Sequence, residues 1–199
     1  MLERNFILED NRARLTILNA EDYPNLVNFA IQEPSIWKYS FEQVAGAAHF
    51  RNYIDKAIQK AALGTEIPFV VFDKLVSAVA GSTRFYDINS IQKTIKIGYT
   101  WYGNAFQETG INRHVKFLML SFAFEKLEME RVSFEVNTQN EKSIRSLEKL
   151  GCQFEGILRS THYNLDGTRR DSAVFSILHH EWISHTKKKI QSLLKSAME

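Results

Sequence analysis

The chain has 199 residues, of which 44% are hydrophobic and 24% charged, with a formal net charge of +2. That balance excludes an intrinsically disordered chain and sets no overall demand for nucleic acid as a partner. A single cysteine, Cys152, rules out an internal disulfide, and "MLERNFILEDNRARLTIL" mixes charges too early for a signal peptide. No apolar run approaches the roughly 20 residues of a membrane span. The expectation is a cytoplasmic protein, monomer or homodimer, with one domain over residues 1–199, a lead-in at 1–12 and a terminal helix at 180–199.

In chain order, "ARLTIL" (Ala13 to Leu18) alternates as a strand, and "NAEDYPNLVNFAIQ" follows as a helix with an acidic start. "FEQVAGAAHFRNYIDKAIQKAAL" places Val44, Ala47, Phe50, Ile54 and Ile58 at helical spacing. Two strands, "IPFVVFD" and "VSAVAGSTRFYDI", meet at a tight turn around Asp73 and Lys74. "TIKIGYTWY" is a third, with strict alternation putting Ile95, Ile97, Tyr99 and Trp101 on one face. Ile111 to Leu127 is a helix apolar around much of its circumference, so it packs on more than one side.

"RVSFEVN" alternates again, with Val132, Phe134 and Val136 facing one way. "NEKSIRSLEKLG" is a punctuated helix: Asn140 as N-cap, Glu141 at the positive end, Gly151 at the left-handed C-terminal position. "CQFEGILRSTHYN" and "RDSAVFSIL" flank an Asp166-Gly167 hairpin turn, and "HEWISHTKKKIQSLLKS" closes the chain as a basic amphipathic helix. The order specifies an α+β fold with a mixed, mostly antiparallel sheet of about seven strands, a meander feeding a βαβ-like crossover.

The turn between the third strand of the meander and the helix after it reads "QETGIN". The first amides of a helix lack internal partners and point outward, and the macrodipole adds partial positive charge. Gly110 leaves room for a phosphate to approach the backbone. The turn is neither a Walker loop nor a dinucleotide GxGxxG, so alone it fits an ordinary loop as well as an anion cradle.

Four ordered blocks between Ile97 and Trp182 add specificity. "IGYTWY", "QETGIN", "NEKSIRSLEKLGCQFEGILRS" and "GTRRDSAVFSILHHEW" together resemble the GCN5-related N-acetyltransferase (GNAT) superfamily, in its ribosomal-protein, RimJ/RimL-like branch. The superfamily motif Gln/Arg-x-x-Gly-x-Gly/Ala falls on Gln107, Glu108, Thr109, Gly110, Ile111 and Asn112, with Asn in the last place. The resemblance implies a GNAT fold splayed at the cofactor site, with these backbone amides on the pyrophosphate of acetyl-CoA. One splayed strand would present Tyr99, Thr100, Trp101 and Tyr102 to the pantetheine arm. The other ends near Asn137, with Asn140 and Ser143 beyond it. The implied reaction moves acetyl to a primary amine by direct attack in a ternary complex, without a metal or a covalent enzyme intermediate. The acceptor is a protein N-terminal α-amine, with a small-molecule amine or aminated antibiotic as the alternative. A non-catalytic acyl-CoA-binding domain is the reading from another class.

The direct-attack chemistry needs an acid for the departing thiolate and a route for the amine proton. Many superfamily members use a Tyr where this chain has Leu147. Ser143, in the first turn of a helix, is the substitute acid, although a plain first-turn role fits it equally; Asn140 fits both a cap and a contact to the cofactor arm. For the base, His162 is the first candidate and Glu135 the second, with a plain surface His as the other reading of His162. Relatives commonly carry Glu before Ile-Gly-Tyr, where this chain has Lys96. Cys152 reads as a buried small hydrophobe. Arg159, Arg170 and Asp171 read as a pairing across the last hairpin. Lys187 to Lys189 form a solvated face. Trp37, Tyr39 and Phe41 line either an acceptor pocket or the core.

Overall fold

The computed structural model describes residues 6–195. The strands are β1 (Ile7–Glu9), β2 (Ala13–Ile17), β3 (Ile67–Asp73), β4 (Ala78–Asn89), β5 (Thr94–Tyr102), β6 (Arg131–Asn137), β7 (Gln153–Tyr163) and β8 (Arg169–Leu178). The helices are α1 (Tyr23–Gln32), α2 (Ala47–Ala62), α3 (Ile111–Glu125), α4 (Glu141–Leu150), α5 (His179–Glu181) and α6 (Lys187–Lys195); a π turn, Trp182–Thr186, joins the last two. The strands form one eight-stranded sheet in the order β1-β2-β3-β4-β5-β6-β8-β7. β1 to β5 are an antiparallel meander, and α3 carries the chain across to β6, which runs parallel to β5. The eighth strand, β1, lies inside the expected lead-in. Among the described residues, no helix is long and apolar enough to cross a membrane.

The helices divide between the two faces. α3, α4 and α6 bury one face with Ile111, Val115, Met119, Leu147, Leu150 and Ile190 against Ile95, Ile97, Val132 and Phe134. α1 and α2 cover the other face over β3 to β5, with Leu26, Phe50, Ile54 and Trp37 against Val70 and Trp101. α2 begins at Ala47 rather than Phe41, after Gly46 in a positive-φ conformation. The freed segment Lys38–Ala45 lies between α1 and α2 and supplies Phe41 to the site described below. Trp182 anchors the C-terminal helices: it is fully buried, stacks on Phe124 at 5.4 Å and donates Nε1–H to Glu125 at 2.9 Å.

The strict alternation expected for β5 breaks. Ser82 pairs with Trp101 and Arg84 with Gly98, so Thr83 alone faces both Tyr99 and Thr100. This β-bulge, with Tyr99 at φ 50°, reverses the pattern. Ile95 and Ile97 pack beneath the sheet with α3, whereas Tyr99 and Trp101 pack above it with α1 and α2. The hairpin pairing also differs from expectation. Asp171 accepts the Ser160 N–H at 2.8 Å, and Arg170 donates to the Tyr39 carbonyl at 3.1 Å.

Two outcomes follow from packing and charge. A Cβ at Gly81 would lie 2.0 Å from the Trp101 carbonyl oxygen, so Gly81→Ala should destabilise the fold by about 3 kcal/mol, read by urea unfolding. Arg131 forks onto Glu155 and, with the Ser176 hydroxyl, holds that carboxyl down at about 2. A folded value below the ordinary 4.5 means stability that is present above pH 4.5 and lost as pH falls toward 2. The melting temperature of Glu155→Gln should therefore lie below that of the native chain at pH 7, with the gap closing between those two pH values.

Candidate active site

The parallel pairing of β5 and β6 lasts three residues. Thr94, Ile95 and Lys96 pair with Arg131, Val132 and Ser133, and the strands then diverge. β5 keeps β4 and β6 keeps β8 on their outer sides, while Ile97–Tyr102 and Phe134–Asn137 face a wedge-shaped gap with no strand partner across it. Backbone groups on these inner edges need a partner from water or from a ligand with its own amides.

The "QETGIN" loop closes the wide end of the wedge. Gln107 folds back and donates Nε2–H to the Tyr102 carbonyl at 3.2 Å, fixing the loop to the end of β5. Thr109 donates its hydroxyl to the Phe106 carbonyl at 2.8 Å. Glu108 and Gly110 both have positive φ, 62° and 92°, which turns successive amides outward before α3 begins. Among the described residues, no backbone carbonyl takes the N–H of Gly110, Ile111 or Asn112. A Cβ at Gly110 would meet nothing within 4 Å, so the space beside this residue of the turn is open.

Asn112, in the motif's unusual place, has a definite job. It accepts from the Tyr102 hydroxyl at 3.2 Å and donates to Ser146 of α4 at 3.0 Å, joining the two sides beneath the gap. Asn140 caps α4 as expected, accepting the Ser143 N–H at 3.2 Å, which places Ser143 in the first turn on the far wall. Asn137 ends β6 and accepts the Gln139 N–H at 2.9 Å. Trp101 turns its side chain into the upper core, so only its backbone edge faces the gap.

His162 and Glu135 lie on the other face of the sheet from α3. Val132, Phe134 and Val136 point down, so Arg131, Ser133 and Glu135 point up. Here an open groove of about 650 Å3 crosses β4 to β8, lined among others by Asp87, Lys96, Glu135, Glu155 and Val174. Lys96 sits between two carboxylates, 2.6 Å from Glu135 and 2.9 Å from Asp87. These partners outweigh burial and raise the Lys96 pKa, so Glu135 is engaged by a permanent cation.

His162 is free of that constraint. Its ring meets Phe41 edge-on at 4.7 Å and it pairs across the hairpin with Arg170. Burial first, then the Arg170 charge, lower its pKa below the ordinary 6.5, so the imidazole is neutral at pH 7. Its buried Nδ1 has no hydrogen-bond partner among the described residues. Phe41 also lies 5.7 Å from the bulged Tyr99, whose ring covers the Arg84 guanidinium at 4.1 Å. Of the three aromatic residues of the α1–α2 segment, Trp37 belongs to the core, Tyr39 ties the segment to the Gln139 carbonyl, and Phe41 joins His162.

Two buried basic side chains were not evident from the sequence. Arg84 is bound to Glu66 at 2.7 Å under the bulge, and Lys60 reaches the same carboxylate at 2.8 Å. Lys116, on α3, is 5% exposed and hydrogen-bonds the Thr100 hydroxyl at 3.0 Å. The available signal was a Lys one helical repeat after Asn112 in a helix apolar on nearly every side.

The profile of the "Acetyltransferase (GNAT) domain" family matches residues 12–153. The chain is 27% identical over 173 residues to "Putative ribosomal N-acetyltransferase YdaF" of Bacillus subtilis (strain 168), covering 84% of this chain and 92% of that one. Among solved structures, a GCN5-related N-acetyltransferase from Brucella melitensis superposes with TM-score 0.87 and 30% identity, over 96% of this chain and 86% of that one. RimJ of Mycobacterium smegmatis, in complex with CoA-disulfide, superposes with TM-score 0.78 at 16% identity over 91% of this chain and 88% of its own, a likeness of fold. The divided sheet, the loop at its open end and these matches agree: the chain belongs to the GNAT acetyltransferase family.

Proposed function

We propose that this acetyltransferase takes acetyl-CoA in the wedge between β5 and β6 and transfers its acetyl group to a primary amine, foremost a protein N-terminal α-amine. The observation that carries this reading is the early end of the β5–β6 pairing, with unpartnered amides of Gly110, Ile111 and Asn112 at the open end. A polar arm with amides of its own satisfies the inner edges of both strands as an added strand would. A pyrophosphate satisfies the helix start. The CoA compound bound to the RimJ fold and the ribosomal name of the Bacillus relative support the cofactor and the acceptor class.

The acceptor enters from the upper face of the sheet, past Phe41, Tyr99 and His162. Its neutral nitrogen attacks the thioester carbonyl, the C–S bond breaks, and the nitrogen gives up a proton as the thiolate gains one. Neutral His162 is the better base. Glu135 would first have to leave Lys96. Ser143 is the candidate acid at the positive end of α4.

A thiol-release assay tests the function. Peptides with a free N-terminus should release CoA thiol, and N-terminally blocked copies should not. Thiol release only with small amines would reassign the acceptor, and acetyl-CoA binding without release for any amine would make the chain a binder. Gly110→Asp adds a side chain and a negative charge at the cradle and should weaken acetyl-CoA affinity about tenfold or more by calorimetry. With acceptor concentrations counted as neutral amine, the native enzyme should lose kcat/KM as pH falls below 6.5 and His162 gains its proton. His162→Ala should lack that acid limb, and an unchanged profile would move the base elsewhere.

A further inference from the structure

The helix beneath the wedge is polar where a packed helix should be apolar. Asn112 and Lys116, one i,i+4 step apart on α3, both point at the divided strands. Asn112 joins Tyr102 to Ser146. Lys116 Nζ bonds Thr100 on β5, which contacts Thr83 at 2.7 Å, and lies 5.7 Å from the ring centroid of Phe134 on β6. Phe134 follows directly after the last paired residue, Ser133. The Lys116 amine therefore sits under the point where the two strands part.

This amine has no ion-pair partner among the described residues. Burial pulls it down to about 7, and the titratable group facing it is the buried Cys152 thiol, itself pushed up to about 12. A buried lysine without a carboxylate is an expensive way to fill space, since an apolar side chain of similar length avoids its desolvation. One hydrogen bond to Thr100 leaves further N–H donors on the nitrogen.

We propose that Lys116 is a binding residue for the pantetheine arm, holding Thr100 from below and donating a second hydrogen bond to an arm carbonyl lying in the wedge. This rests on the acetyl-CoA reading above and adds a contact from the floor to those from the strand edges. A polar floor of Asn112, Lys116 and Thr100 suits an arm that carries two amides.

Calorimetry with two ligands tests it: CoA, and 3′-phosphoadenosine 5′-diphosphate, which keeps the adenine, the 3′-phosphate and the pyrophosphate of CoA and lacks the arm. Lys116→Met should bind CoA about tenfold more weakly while its affinity for the nucleotide stays native, and it should melt no lower than the native chain. Thr100→Val, which releases the amine from its anchor, should weaken CoA in the same selective way and decides the matter if Lys116→Met does not fold. Native CoA affinity in a folded Lys116→Met, or equal losses for both ligands, would overturn the assignment to the arm. Failure of the native chain to bind CoA would instead overturn the cofactor reading itself.

Discussion

Everything in this fold answers to one interruption: β5 and β6 stop pairing after three residues. A parallel sheet rarely gives up backbone hydrogen bonds inside a domain, because each unpaired group left dry costs free energy on the order of a lost hydrogen bond. The interruption is built in. The Tyr99 bulge twists β5 away from its former line, Asn112 ties the end of β5 to α4, and Lys116 fills the floor between the strands. The result is a slot with one polar end, two polar edges and a polar base.

Charge is distributed in keeping with that slot. The α3 end offers unpartnered amides and the helix dipole, with Lys142 of α4 reaching Glu108 across the opening at 3.2 Å. The upper groove holds Lys96 in fixed pairs with Glu135 and Asp87, and the buried Arg84 beneath the bulge is paired with Glu66. Lys96 holds Glu135 in an ion pair at 2.6 Å. That leaves His162 as the unpaired titratable group beside Phe41, and proton removal from the acceptor falls to it in our reading.

The order of strands and helices was legible because each element carries local punctuation. Asn140 and Gly151 bound α4, Asp166-Gly167 sits in the turn before β8, and period-two alternation marks β6. The loop was legible through its glycine and the blocks around it. What escaped were features that depend on partners distant in sequence. The bulge exists because Thr83 faces two residues of β5, and no pattern within "TIKIGYTWY" encodes that. Lys116 and Arg84 carry side chains that usually seek solvent, and only the packed sheet shows them buried. β1 is three residues long, too short for alternation to stand out.

Amide hydrogen exchange with and without saturating CoA tests the central claim most directly. The account predicts new protection in two separate stretches, Tyr99 to Tyr102 on the inner edge of β5 and Gly110 to Asn112 at the start of α3, with β1 to β3 unchanged. Protection confined to the upper groove, or none in either stretch under saturating CoA, would contradict it.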